Sequence, residues 1–385
     1  MTISRLNVLF FCLIFLSNCA QESKSNSPKS KPNNVEIKER IQHSFSLSDY
    51  LSDNELLDAY VDSIYASLNE TDLIAQLIMP AVGKYGQSKE TINGLINDHL
   101  IGGVLMLNGT KEEFSKWIKE FNQSNIKLGN LPFLYSADAE PSLVNRKIIG
   151  STTVKKANEI DSISEVISVA NTISKDLNDI GINYNFSPVI DMSKNSTVGY
   201  RGFGKIPANI IPWSDAFIRA TQENNIIATA KHFPGHGLVS GDTHKSLQVI
   251  KGELKEISNY PPLIANGLLS VMVAHIAIEG NKEYNTSGLP STCSKKVVTE
   301  LLRDQMQFKG IIVTDAMNMG GVRNVPNNSV KAIAAGCDIL LMPADARKAH
   351  KEILEEYKKG NEEFRNTVSE SAKRIIRMKI CLGLI

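Results

Sequence analysis

The amino-acid sequence predicts a single α/β domain with the (β/α)8 architecture of a TIM-like barrel. Eight short apolar segments recur along the chain, each closing on a polar or glycine-rich turn and most followed by a helical pattern. Strands buried on both faces read as continuous apolar runs, and strands that alternate with helices pair in parallel. Eight such units close into a barrel, although periodicity alone also fits an open doubly wound sheet. The predicted strands are 76–82, 102–107, 131–137, 182–190, 226–231, 270–275, 310–314 and 337–343.

Ionisable side chains at the ends of these segments favour the barrel over the open sheet. In a barrel, the carboxyl ends of all strands converge on one mouth, where functional sites are built. Six reactive residues lie at, or just past, the end of a predicted strand: Asp138, Asp191, Lys231, His232, His275 and Asp315. We therefore expect one site at that mouth.

The first residues predict export rather than part of the fold. Arg5 gives a positive start, and the apolar run 8–16 is too short to span a bilayer comfortably. The run ends Leu16-Ser17-Asn18-Cys19, which resembles a bacterial lipoprotein signal over residues 1–18, with Cys19 as the lipidated residue. We expect a membrane-anchored protein of the cell envelope, periplasmic or on the cell surface, with ordinary secretion or an uncleaved anchor as alternatives.

Residues 19–45 are predicted to be a disordered tether, and residues 46–385 the folded domain. The tether is rich in Ser, Asn, Lys and Pro and nearly free of large apolar residues, so burial cannot offset the entropy of ordering it. The domain opens with apolar residues at three- and four-residue spacing from Leu56 to Leu68, which predicts an amphipathic helix.

Charge and cysteine content exclude some classes of partner. The 42 Lys and Arg residues nearly cancel the 41 Asp and Glu residues, so a nucleic-acid or other polyanionic partner is not expected. Cys12 leaves with the signal, and Cys293, Cys337 and Cys381 remain in the domain. An odd number without CxxC spacing predicts isolated core thiols, with one pair possible where geometry permits.

The densest cluster of reactive residues is 231–237, Lys-His-Phe-Pro-Gly-His-Gly, followed after four residues by Asp242-Thr243-His244. His232 and His236 have the i, i+4 spacing of a zinc-binding helix, but a proline and a glycine between them make a shared helical face unfavourable. A turn of satisfied polar residues is the other alternative. We expect a glycine-rich loop that presents an ionisable histidine, with no metal and no cofactor.

This cluster resembles the signature of the β-N-acetylglucosaminidases of glycoside hydrolase family 3. Similar segments follow the same order over about residues 70–385: 101–104, Asp138, 187–191, 200–204, 270–275, 312–319 and 335–338. The resemblance implies a barrel of the family's N-terminal type with a retaining mechanism, in which a carboxylate nucleophile and a proton donor flank the anomeric carbon.

The same resemblance implies the roles of individual residues. Asp315 matches the nucleophile, His244 the general acid/base, and Asp242 would orient His244. Many members take the donor from a second domain, but this sequence stops near the end of the barrel, so we expect the barrel to supply it. A helix N-cap is the structural alternative for Asp315.

Sugar binding is the role that the resemblance implies for a second group of residues. Asp138 would accept hydrogen bonds from ring hydroxyls, while Arg146, Arg201, Lys231 and His232 would donate them. A solvated surface position is the alternative for each cation, and His275 matches a family position without an assigned role. The loop 138–144 departs from the family, which has Gly-Gly-Arg-Val after its Asp-x-Glu.

The expected function is therefore that of an exo-acting β-N-acetylhexosaminidase on a glycan substrate. It would release terminal N-acetylglucosamine from peptidoglycan fragments, in peptidoglycan turnover, or from related glycans. A family 3 β-glycosidase or phosphorylase of other sugar specificity is one alternative. A non-catalytic glycan-binding lipoprotein is another.

Overall fold

The computed structural model describes residues 45–192 and 194–385. The predicted signal, Cys19 and all but the last residue of the predicted tether lie outside these ranges. None of the described helices is both long enough and apolar enough to cross a membrane.

Eight parallel strands close into a barrel, as the sequence predicts. Neighbouring strands pair in chain order, Ile78 at the start of the first strand pairs with Leu340 of the last, and Val313 pairs with Ile339. We number the strands β1 (Ile78–Met79 and Ala81–Val82, either side of Pro80), β2 (Gly103–Met106), β3 (Leu134–Ala137), β4 (Tyr184–Asn185), β5 (Ile227–Phe233), β6 (Ser270–Val273), β7 (Ile311–Thr314) and β8 (Leu340–Leu341). The open doubly wound alternative is wrong.

Helices alternate with the strands along the chain. The domain opens with a 3-10 turn at Leu47–Asp49 and helices Glu55–Ser67 and Glu70–Ala75, the former being the amphipathic helix that the sequence predicts. The helices between strands are Lys89–Asn97, Lys111–Leu128, Val144–Lys147, Ile163–Ile180, Pro207–Glu223, Tyr260–Ala265, the π-helical Lys296–Gln305 and Asn328–Ala334. Ala346–Lys358 and Glu362–Cys381 follow β8, and further 3-10 turns lie at Ala157–Glu159, Lys255–Asn259 and Ser291–Cys293. Short strand pairs outside the barrel join Gly109–Thr110 to Ile148–Ile149 and Gln248–Lys251 to Ile276–Glu279.

Local sequence signals account for where these elements begin and end. Thr110 caps the helix Lys111–Leu128, its hydroxyl accepting from the Glu113 N–H while the Glu113 carboxylate accepts from the Thr110 N–H. The helix ends at Gly129, whose φ of 72° favours glycine. Strand β4 is shorter than predicted because Pro188 has no N–H to donate, although the carbonyls of Ser187 and Pro188 still accept from the N–H groups of β5.

A buried ion-pair network lies at the amino end of the barrel strands, away from the predicted site. Asp338, just before β8, accepts from Arg303 at 2.8 Å, Arg374 at 3.0 Å, Ser371 at 2.8 Å and the Ile312 N–H at 2.8 Å. Residues at the amino end of a barrel stabilise the fold, whereas residues at the carboxyl end carry the chemistry. The cysteines of the domain, Cys293, Cys337 and Cys381, are buried free thiols.

Candidate active site

A cleft of about 420 Å³ opens at the carboxyl ends of the strands. It brings together seven residues that the sequence singles out: Asp138, Arg146, Arg201, Lys231, His232, His244 and Asp315. Exposed Tyr85 and Tyr200 also line it, on the loops after β1 and β4. The residues proposed for chemistry and those proposed for sugar binding therefore share one cavity.

A chain of ion pairs forms one wall of the cleft. The Lys231 ammonium lies 2.9 Å from Oδ1 of Asp138 and 2.6 Å from Oε1 of Glu140. Arg201 holds Glu140 through two bonds, from Nε at 2.8 Å and from Nη2 at 2.7 Å. Lys147 contacts the other oxygen of Asp138 at 2.5 Å. Lys231 and Glu140 are almost completely buried, at 1% and 0% side-chain exposure, so this network is shielded from solvent screening.

The cations of this network keep both carboxyl groups ionised. Burial alone would raise the pKa of Glu140, but the charges of Arg201 and Lys231 outweigh it and lower that pKa to about 2. Burial likewise opposes ionisation of Asp138, and Lys147 and Lys231 hold its pKa well below the usual range. Asp138 is therefore a charged acceptor, which suits a partner for sugar hydroxyls.

Replacing Lys231 with methionine should destabilise the fold near neutral pH, because the buried Glu140 and the half-buried Asp138 lose a shared cation. Breaking a buried pair by removing one partner costs about 3–5 kcal/mol, measurable by urea unfolding. The loss should shrink as the pH falls, because Glu140 without Lys231 takes up a proton at a higher pH than in the wild type and its uncompensated charge then disappears. In the wild type, the contribution of ionised Glu140 is lost progressively as the pH falls from the ordinary glutamate pKa of 4.5 to the lowered pKa of about 2.

A matched control is Lys359→Met, which removes an exposed lysine that contacts Glu356 at 2.7 Å. Its free energy of unfolding should change little, because exposed pairs are screened by solvent. A Lys231→Met protein as stable as wild type at neutral pH, or one whose deficit does not depend on pH, would contradict the buried-pair interpretation.

Asp191 organises the start of the loop after β5, residues 234–247, which we call the histidine-bearing loop. Its buried carboxylate accepts from Nδ1 of His232 at 2.6 Å and from the backbone N–H groups of His232, at 3.1 Å, and His236, at 2.8 Å. Burial opposes ionisation, but the neighbouring His232 lowers the pKa of Asp191. The bond at Nδ1 leaves Nε2 of His232 as the ring atom available to a ligand in the cleft. Within the described part of the chain, no group of three or more His, Cys, Asp or Glu residues has the arrangement of a metal site.

Asp315 lies directly after β7 and projects into the cleft. Its N–H donates to the Val273 carbonyl at 2.8 Å, which extends the pairing with β6, and its Oδ1 accepts from the Ala316 N–H at 2.8 Å. Burial would raise the pKa of Asp315, but His232 and this N–H lower it. The group is thus ionised at neutral pH, the form that a nucleophile needs. In the described chain no helix begins after Asp315 before Asn328, so the N-cap alternative is wrong.

His275 supports the backbone beside Asp315. Its Nε2 donates to the Ala316 carbonyl at 3.0 Å, and its Nδ1 accepts from the Thr292 hydroxyl at 2.9 Å. Burial lowers the pKa of His275, which favours the neutral ring that this bonding pattern requires. The structure therefore gives His275 a place behind the strand end, outside the residues that line the cleft.

His244 and Asp242 are in direct contact on the loop after β5. Nδ1 of His244 lies 2.7 Å from Oδ1 of Asp242, which also accepts the His244 N–H at 3.0 Å. Burial opposes ionisation of Asp242, but the bonds from His244 lower its pKa. The His244 side chain is 62% exposed at the mouth, and Nε2 is the ring atom left to exchange a proton with a ligand. The Gly320 N–H donates to the His244 carbonyl at 3.0 Å, which ties this loop to the one that carries Asp315.

The loop that departs from the family pattern forms a short helix. Pro141 and Leu143 are buried and the helix Val144–Lys147 follows, from which Arg146 lines the cleft and Lys147 reaches Asp138. Sequence reasoning missed Lys147. Its only local signal is its place beside Arg146, because a lysine in an unpatterned loop reads as a surface residue.

Comparisons with known proteins agree on one family. The profile of the "Glycosyl hydrolase family 3 N terminal domain" matches residues 70–378. A curated "Beta-N-acetylglucosaminidase/beta-glucosidase" from Cellulomonas fimi is 26% identical over 85% of this chain, which spans 60% of that relative's length. A solved family 3 β-N-acetylglucosaminidase from Paenibacillus sp. superposes with a TM-score of 0.75 at 26% identity, covering 83% of this chain and 63% of the other. A solved "Beta-glucoside phosphorylase BglX" superposes with a TM-score of 0.76 at 22% identity, covering 86% and 62% of the two chains.

Proposed function

The chain belongs to glycoside hydrolase family 3, and from this premise we propose that it is an exo-acting, retaining β-N-acetylhexosaminidase. It releases terminal β-linked N-acetylglucosamine. One observation carries the proposal: the ionised Asp315 and the Asp242–His244 dyad border the same cleft, with the sugar-binding candidates along its wall. A carboxylate nucleophile facing a proton donor is the arrangement that glycoside hydrolysis with retention requires.

In the first step, a carboxylate oxygen of Asp315 attacks the anomeric carbon of the terminal sugar. The bond from that carbon to the leaving oxygen breaks as Nε2–H of His244 gives that oxygen its proton, and a glycosyl ester on Asp315 results. Before the proton transfer, Asp242 stabilises the charged imidazolium of His244. After the transfer, it holds the neutral ring in the same orientation. In the second step, Nε2 takes a proton from water, the water oxygen bonds to the anomeric carbon, and the carboxylate of Asp315 leaves.

The charged wall of the cleft binds the terminal sugar. Asp138 is ionised and half-buried, so it accepts hydrogen bonds from hydroxyls with charge assistance. Lys231 and Arg201 fix Asp138 and Glu140 in place, and Nε2 of His232 remains free to contact a sugar hydroxyl. Groups held by buried partners need little reordering when substrate binds, which favours affinity.

Preference for N-acetylglucosamine is supported by the names of two relatives, one of which also names β-glucosidase activity. We expect nitrophenol release from the β-N-acetylglucosaminide to exceed that from the β-glucoside by tenfold or more in kcat/KM, about 1.4 kcal/mol in transition-state binding. Adding inorganic phosphate should leave the rate and the free-sugar product unchanged. Faster turnover of the glucoside would reassign the sugar, and a sugar 1-phosphate product would make the protein a phosphorylase.

We also propose that the enzyme acts at the cell envelope on peptidoglycan fragments. Support comes from the resemblance of residues 1–19 to a bacterial lipoprotein signal, in which the cysteine at the position of Cys19 carries the acyl chains. Cys19→Ser should move the protein from the membrane fraction to the soluble fraction of cells, and membrane retention of this variant would argue against lipidation there.

A further inference from the structure

Glu256 is a buried carboxyl group that bridges two loops at the mouth of the barrel. It lies on the 3-10 turn Lys255–Asn259 and is 3% exposed. Its Oε1 accepts from the Met192 N–H at 2.6 Å and the Gly237 N–H at 3.2 Å, while Oε2 accepts from the Leu238 N–H at 3.2 Å. One side chain therefore satisfies three backbone donors, from the loop after β4 and from the histidine-bearing loop after β5.

Two glycines of the histidine-bearing loop allow the backbone to approach Glu256 closely. Gly235 has a φ of +135°, and a Cβ there would lie 2.5 Å from Oε2 of Glu256. A Cβ on Gly237 would lie 1.8 Å from the Met192 carbonyl oxygen. Side chains at these positions would separate the loop from the carboxylate, so both glycines serve this contact.

Further hydrogen bonds hold the part of the histidine-bearing loop that runs from Gly237, next to Glu256, to His244. The side-chain amide of Asn195 donates to the Val239 carbonyl at 2.5 Å and to the Gly241 carbonyl at 3.0 Å. Nε2 of His236 lies 3.0 Å from the Thr243 hydroxyl, one residue before His244. A shift of the loop at Gly237 would thus be transmitted along a bonded segment to the imidazole.

We propose that Glu256 is a positioning residue for His244, fixing the histidine-bearing loop in the shape that places the imidazole at the leaving oxygen. This inference rests on the proposed function and deepens it. Glu256 does not line the cleft, so it acts only through the loop.

The charge state of Glu256 guides the choice of variants. Burial, together with the Asp191 carboxylate, raises the pKa of Glu256 to about 8, although the three N–H donors oppose the rise. An uncharged glutamine is therefore a close substitute that keeps one acceptor oxygen but turns an amide NH2 toward a backbone donor. Alanine removes both acceptors and leaves three N–H groups without their partner.

The test compares Glu256→Gln and Glu256→Ala on two substrates with the same sugar. On an unactivated disaccharide the alanine variant should lose about 10²-fold in kcat/KM, the size expected of a misplacement near 1 Å. The fold-loss in the burst rate of dinitrophenol from the activated aryl glycoside should be at least tenfold smaller than the fold-loss on the disaccharide, because that leaving group needs no proton. The glutamine variant should fall between wild type and alanine.

Asp176→Ala is the matched control, since Asp176 is also buried and accepts a backbone N–H, from Thr152 at 2.5 Å, away from the cleft. It should lower the melting temperature without changing the ratio of the two activities. The double variant Glu256→Ala with His244→Ala should be no slower on the disaccharide than His244→Ala alone.

Equal losses of the folded Glu256→Gln protein on both substrates, or additive losses in the double variant, would overturn the positioning role. A wild-type protein that is inactive on both substrates would instead refute the proposed function. If Glu256→Ala does not fold, the ratio of activities in Glu256→Gln decides the question.

Discussion

Asp315→Ala should abolish turnover while leaving the fold intact. Without the carboxylate no glycosyl ester forms, and removing a nucleophile that acts as a unit with its proton donor lowers kcat by about 10⁴-fold or more. Within residues 45–192 and 194–385, the Asp315 side chain forms one hydrogen bond, to the Ala316 N–H, so unfolding should occur near the wild-type temperature. Hydrolysis of an activated aryl glycoside and the thermal unfolding curve measure both expectations.

Asp345→Ala provides the opposite pattern as a control. Asp345 caps the helix Ala346–Lys358 by accepting the Lys348 N–H at 3.0 Å, so its loss should cost about 1 kcal/mol of stability and no activity. If Asp315→Ala keeps more than a few per cent of activity, or loses stability and activity together, the nucleophile assignment is wrong.

His244→Ala should slow each substrate in proportion to how much its leaving group needs a proton. A sugar alkoxide cannot leave unprotonated, so a disaccharide should lose about 10²–10⁴-fold in kcat/KM. Dinitrophenolate departs nearly unaided, so its burst should be far less affected. Steady-state turnover of the aryl glycoside should also fall, because the same imidazole activates water in the second step. Asp242→Asn should show a weaker version of this pattern.

His99→Asn is the matched control for the dyad. His99 forms a similar contact, Nδ1 to Oδ1 of Asp72 at 3.1 Å, on the loop after the helix Lys89–Asn97, and asparagine tolerates its φ of 58°. This variant should keep wild-type activity on both substrates. Equal losses of His244→Ala on good and poor leaving groups would mean that His244 only shapes its loop and does not donate the proton.

The sequence was sufficient to predict the barrel because its evidence is local and repeated. Continuous apolar runs mark each strand, and the polar residue at the end of a run has a defined place once the strands close into a ring. Asp315 illustrates this, since the residues before it are buried in β7 and its own position follows from theirs. The limits of β4 were less predictable, because the run 182–190 also contains Asn183, Asn185 and Ser187, and Pro188 interrupts the regular ladder.

The supporting contacts of the site were not predictable because they join distant parts of the chain. Glu256 reaches the Met192 N–H across 64 positions, and Lys231 reaches Asp138 across 93. Nothing in the residues around Glu256 distinguishes it from a solvated glutamate, which is the usual state of that residue type. The contact of Lys147 with Asp138 depends on the conformation of the loop 138–144, which lacks the glycines of the family pattern. Only the folded backbone brings the two side chains together.

Trapping the glycosyl ester on Asp315 tests the central claim most directly. His244→Ala should form this ester from the dinitrophenyl β-N-acetylglucosaminide and resolve it slowly, so that it accumulates. Mass spectrometry of the acid-quenched protein should show one added N-acetylhexosamine residue, and the digest should place it on the peptide that contains Asp315. An adduct on another residue, or none during a measurable burst of dinitrophenol, would contradict the mechanism.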